Sequence, residues 1–195
     1  ARLTSVGTFV PDFSGITKPQ KAVLTLAMGE LHNSYVFWLY PQTDVEITEN
    51  GIKTADDELI FTDSVEKAKA LIASGKKAMV ITDGSNAIEN AYCADFWNYH
   101  MFRVISESMN KPVAPGTMGL LIDKNDKLLS AFPCEKFTTP QWYEAVTHSK
   151  ADILDDTPDV TPIVRVVDNT ERCHRLGMLY KKNGILHCSI RLWEA

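Results

Sequence analysis

The sequence predicts an α/β domain on a mainly parallel sheet flanked by helices, preceded by a β segment and closed by a β-hairpin. Three observations carry that prediction. A strand–helix–strand unit with short joints occupies residues 59–82, the pattern of a right-handed parallel crossover. Short apolar runs at 118–122 and 162–168 read as further strands. Near the end, Asn183-Gly184 separates two apolar runs, as in a hairpin closed by a type I′ turn.

Taken in order, residues 21–28 alternate apolar and polar, and residues 34–40 are rich in aromatic and β-branched types. Both read as strands, and Pro41 ends the second. Two strands would not be stable alone, so this segment, residues 1–41, must pack on the following domain or on a neighbour outside the chain. A polar stretch, 42–58, separates it from the α/β domain at 59–195. Residues 59–62 form a short buried-type strand, and Asp63 offers an N-cap with Glu66 at capping-box spacing. Ala68, Leu71 and Ile72 give the helix an apolar face, Gly75 suits its C-terminal stop, and 77–82 is the next strand. The loop Asp83-Gly84-Ser85-Asn86 follows, at the rim where open parallel sheets bind ligands. A helix is predicted over 97–109, buried through Met101, Phe102, Ile105 and Met109. Thr139 caps a short helix with Pro140 at its first position.

The chain has 195 residues, 45% of them hydrophobic and 23% charged, the composition of an ordinary globular protein. A net charge of −5 with no basic stripe argues against nucleic acid. No apolar run is long enough for a membrane span, so membrane insertion is not expected. The chain begins with Ala rather than Met and shows no signal peptide, which suggests a mature product or a piece of something longer.

No residue set assembles a catalytic centre in the sequence. Asp83-Gly84-Ser85-Asn86-Ala87 lacks the second glycine of a nucleophile elbow, and Cys93 lacks a tight glycine-flanked turn. Ser85 or Cys93 in a small independent hydrolase is the third functional expectation. Asp56-Asp57-Glu58 and Asp155-Asp156 read as solvated surface. Asp168-Asn169 and Arg172 read as a local polar network or an ion pair. Cys173-His174 and His187-Cys188 mirror each other, yet adjacent residues on a strand point to opposite faces. No metal and no cofactor is therefore expected. The aromatics Trp97, Tyr99, Trp142 and Tyr143 are the candidate carbohydrate contacts, because flat rings match the apolar faces of pyranosides; packing between loops or domains is the alternative.

The longest run of distinctive motifs is Asn33-Ser34-Tyr35-x-Phe37-Trp38-Leu39-Tyr40-Pro41, Phe96-Trp97-Asn98-Tyr99-x-Met101-Phe102, Lys111-Pro112-Val113 and Gly116-Thr117-x-Gly119-Leu120-Leu121. Phe132-Pro133, Gln141-Trp142, Ile153-Leu154-Asp155, Pro162-Ile163-Val164, Asp168-Asn169, Arg172 and Leu176-Gly177-x-Leu179 continue it. In this order they resemble the C-terminal region of large secreted glycoside hydrolase family 2 (β-galactosidase-like) proteins of Bacteroidetes. The resemblance implies a flavodoxin-like or glutamine amidotransferase-like domain, with residues 1–41 the end of a preceding β-sandwich or an added sheet edge and a last helix missing after Ala195. It implies a periplasmic or extracellular parent whose catalytic carboxylates lie on a separate barrel, so none is assigned here. Glu49-Asn50 is an inverted echo of that family's Asn-Glu motif and inherits no role. The functional expectation is a non-catalytic, structural or interdomain accessory domain whose partners are other domains of the same polypeptide. A carbohydrate-binding module is the second expectation.

Overall fold

The structure is a computed structural model that describes residues 5, 7–90, 100–110, 117–169 and 172–194, without the side chains of 100–103. The chain divides into two compact units, Ala1–Thr43 and Asp44–Ala195.

The first unit contains an antiparallel hairpin of β1 (Gln20–Met28) and β2 (Leu31–Leu39). Its two-residue loop opens on Gly29 at φ +61°, the left-handed position that such loops require and glycine fills without strain. The register places Leu24 opposite Tyr35 and Ala22 opposite Phe37 on one face. The other face pairs Lys21 with Trp38, the ammonium lying 5.4 Å from the indole centroid.

The second unit is a mixed sheet of ten strands. In chain order these are β3 (Glu46–Thr48), β4 (Gly51–Lys53), β5 (Glu58–Thr62), β6 (Lys77–Ile81), β7 (Ala87–Glu89) and β8 (Thr117–Ile122), then β9 (Lys150–Ile153), β10 (Pro162–Asp168), β11 (Leu176–Lys182) and β12 (Ile185–Cys188). The sheet runs β3-β4-β5-β6-β12-β11-β10-β8, with β9 beside β11 and β7 beside β9. Among the described residues the α-helices are α1 (Val65–Ala73), α2 (His100–Ser108) and α3 (Tyr143–Thr147).

This corrects the predicted fold class. Only β5–β6 and β6–β12 pair in parallel; β3–β4, β4–β5, β11–β12, β10–β11, β8–β10, β9–β11 and β7–β9 are antiparallel. Strand far outweighs helix, and the sheet is neither flavodoxin-like nor amidotransferase-like. The crossover read from 59–82 is present as β5, α1 and β6. It establishes one parallel pair and no more. Four of the other connections, β3–β4, β4–β5, β10–β11 and β11–β12, join antiparallel neighbours directly and need no helix.

The polar stretch 42–58 holds β3 and β4, too short to show a period. The helix predicted over 97–109 appears as α2 at His100–Ser108, residues 97–99 lying outside the described residues. Ser64, one residue beyond the expected cap, closes the start of α1, its hydroxyl accepting from Lys67 N at 3.4 Å. The Asp63 carboxylate instead pairs with the Lys67 ammonium at 2.9 Å.

Strand β6 explains how the core is divided. Ala78 and Val80 join Ile185 under Ala68 of α1, whereas the intervening Met79 joins the larger cluster of Leu176, Met178, Val164, Val166 and Trp142. Successive side chains leave opposite faces of a strand, so β6 is covered on both sides and reads as continuously apolar. That double cover holds the C-terminal ends of β5, β6 and β12 in fixed register beside one another.

Candidate functional site

The parallel pairs bring three chain segments to one rim. Asp63 follows β5, Thr82-Asp83 follow β6, and Ser189-Ile190-Arg191 follow β12. Thr82 N donates to Cys188 O at 2.9 Å, and Arg191 N donates to His148 O at 3.0 Å. The Glu49-Asn50 turn between β3 and β4 joins them, Asn50 O accepting from Phe61 N at 2.8 Å. Every segment that reaches the rim is thus pinned by backbone hydrogen bonds.

Between them lies an open cleft of 880 Å³, near the top of the usual range for small-molecule sites. Trp193 forms an aromatic wall, its ring centroid 6.0 Å from that of Phe61 at an angle of 45°. Glu49, Asp63, Asp83, Lys67 and Arg191 also line it, Lys67 paired with Asp63 on the same wall. Hydrogen bonds from the Ser85 backbone N–H and hydroxyl hold the Asp83 carboxyl below the ordinary carboxylate range. Lys67, by hydrogen bond first and charge second, does the same for Asp63. Both are acceptors at neutral pH.

Behind the rim is a buried polar group that does not line the cleft. Tyr180 Oη donates to Asp152 Oδ2 at 3.2 Å, and the Tyr180 ring stacks on His187 at 5.1 Å and 6°. Burial pushes the Asp152 carboxyl up to about 6, against hydrogen bonds from Thr82 and Tyr180 that favour its charge. Burial likewise lowers His187, with Lys182 adding to the effect, and raises Tyr180. Cys188, on the same strand as His187, is pushed up to about 12 by burial and is a protonated thiol.

Of the four aromatics predicted to contact carbohydrate, Trp97 and Tyr99 lie outside the described residues, as does Cys93. Trp142 is 3% exposed and packs edge-on against Phe132 at 5.2 Å, so it offers no ring face to a ligand. Tyr143 is 51% exposed at the start of α3. Neighbours in sequence, these two face opposite environments and form no shared platform. Ser85 sits exposed in the turn closed by Asp83. Cys134 is buried, its thiol raised by burial and then by the Glu135 charge.

The expected polar network is present: Asp168 Oδ1 accepts from Arg172 Nε at 3.2 Å and its Oδ2 accepts from His174 N at 3.0 Å. Among the described residues no group of three or more His, Cys, Asp or Glu is arranged to hold a metal ion, and no helix is long and apolar enough to cross a membrane. Sequence reasoning missed Trp193. Its one signal was position, five residues past the end of β12, a strand that ends on the rim.

A family model matches residues 59–194, more than half of the chain. The chain belongs to the family described as Domain of unknown function (DUF8487). The matched region begins within β5 and ends beyond Trp193, so it takes in the whole cleft apart from the Glu49-Asn50 turn. It leaves out the first unit and the short strands β3 and β4. No curated protein matches the chain.

Proposed function

We propose that this chain is a non-catalytic accessory domain of a secreted glycoside hydrolase and that it binds carbohydrate in the cleft beside Trp193. The observation that carries the binding role is the combination on one rim of an indole wall, three carboxylates and the Arg191 guanidinium. Sugars present apolar ring faces and dense hydroxyls, and those surfaces call for an aromatic beside mixed donors and acceptors. This moves the expected contact from Trp142 and Tyr143 to Trp193. The hydrolase parent, its other domains as partners and a periplasmic or extracellular location rest on the sequence resemblance alone.

The non-catalytic part is supported by the placement of the titratable groups. Glycoside hydrolysis needs one of its two carboxyls kept protonated as the acid, whereas the cleft carboxyls Asp63 and Asp83 are held below the ordinary range and Asp152, whose value is raised, does not line the cleft.

The test is a titration of the chain with neutral cello-, xylo- and galacto-oligosaccharides, read by tryptophan fluorescence and calorimetry. Saturable binding is expected, weakened at least tenfold in Trp193→Ala and in Asp83→Ala, with no release of reducing ends. Binding that survives both substitutions would remove the cleft from the argument, and turnover of any of these sugars by the chain alone would remove the non-catalytic role.

A further inference from the structure

A second hollow of 280 Å³ adjoins the cleft. Thr82, Asp83 and Arg191 line both. The far wall is built by His148, Ser149 and Lys150, and the isolated bridge between Ser149 and Ile190 seams that wall to the chain leaving β12. Among the described residues no Trp, Tyr or Phe lines the second hollow, so those residues offer hydrogen bonds rather than stacking. The two hollows are therefore chemically unlike and joined at one guanidinium.

We infer that they form one continuous site for an uncharged oligosaccharide of at least two units, one unit on Trp193 and the next against His148, with Arg191 hydrogen-bonding at the joint. The inference rests on the carbohydrate reading proposed above and adds length and charge to it.

Three observations support it. The cations on the walls are already matched: Lys67 with Asp63 at 2.9 Å, Lys150 with Glu89 at 3.1 Å and Arg191 with Glu194 at 3.3 Å. Asp83 and Glu49 have no ion-pair partner among the described residues, so the site has spare acceptors rather than spare positive charge, and it favours hydroxyl donors over carboxylates or sulfates. Arg191 engages Glu194 through Nη1; a guanidinium carries five N–H donors, which leaves others for hydroxyls on either side. Finally, His148 lines the second hollow with a side chain 31% exposed, and its imidazole offers a polar edge to a ligand hydroxyl.

The experiment is calorimetric titration of the full chain with cello-, xylo- and galacto-oligosaccharides of one to four units, and with digalacturonic acid. Affinity is expected to rise at least tenfold from one unit to two, with digalacturonic acid at least tenfold weaker than galactobiose. His148→Phe, which keeps a ring but no polar edge, abolishes most of the gain on adding the second unit. His148→Gln, which restores a polar edge, recovers it. Equal affinity for one and two units, or a His148→Phe chain that retains the full gain, overturns the two-unit site while leaving carbohydrate binding at Trp193 intact. Tighter binding of digalacturonic acid overturns the uncharged ligand. Absence of binding by every sugar instead overturns the carbohydrate reading itself, and this inference with it.

Discussion

Asp152→Asn tests the buried polar group behind the rim. Asp152 is 6% exposed and its carboxyl rises from the ordinary 3.8 to about 6, burial outweighing hydrogen bonds from Thr82 and Tyr180. Between pH 3.8 and about 6 the folded chain therefore keeps a proton that the unfolded chain releases. Stability from this group is fully present below that window and is lost as pH rises through it. At 1.36 kcal/mol for each pH unit, the full swing is roughly 3 kcal/mol. Asparagine keeps an acceptor for Tyr180 and cannot ionise. The substituted chain should lack this pH dependence and gain on the parent by up to about 3 kcal/mol as pH goes from 4 to 8. The assay is urea unfolding at pH 4, 5, 6, 7 and 8 for both chains. The exposed acids Asp57, Asp63 and Asp155 have lowered values and act in the opposite sense, but they are common to both and cancel in the difference. A difference that stays flat from pH 4 to 8 refutes the reasoning.

The Arg175 guanidinium donates to the carbonyls of Leu154, Thr157, Pro158 and Val160 at 2.7–3.4 Å and thereby shapes the loop before β10. Arg175→Met should cost about 2–4 kcal/mol in urea unfolding, because charged hydrogen bonds are lost and carbonyls are orphaned; Arg175→Lys should recover less than half, since an ammonium cannot span four carbonyls. A β-carbon at Gly51 would stand 2.3 Å from the Leu59 carbonyl oxygen, so Gly51→Ala should cost about 2 kcal/mol or more and lose hydrogen-exchange protection in β3 and β4. Equal protection in the two chains would show that the edge hairpin absorbs the contact. Brief alkylation of the native chain, mapped by mass spectrometry, should modify the exposed Cys173 and leave the buried Cys134 and Cys188 until unfolding.

How much of this was legible depended on the range of the interaction. The β5–α1–β6 unit could be read because its signals are local: an apolar run, a cap, a helical period and a glycine stop within about two dozen residues. The hairpin at Asn183-Gly184 was legible for the same reason, and Asn183 and Gly184 do take φ of +53° and +78°. The short strands β7 and β9 gave no such sign. Each has only three or four residues, and their pairing joins positions some sixty residues apart.

The aromatic tract led toward Trp142, whose type is right for stacking but whose position is core. Burial is a property of what arrives from elsewhere, here Phe132 and the strands beneath. Trp193 had the same chemistry and no motif around it.

Local sequence thus determined the elements with strong periods, the turns that need glycine or asparagine, and the absence of a nucleophile elbow at Ser85. Tertiary structure alone decided that β12 lies parallel beside β6. That one pairing brings Arg191 and Trp193 to the rim made by Asp63 and Asp83, and residues more than a hundred positions apart come to face one cleft. Hydrogen bonds along a strand carry no address for a partner. Only the packing of both faces of β6 at once selects which strand can lie there.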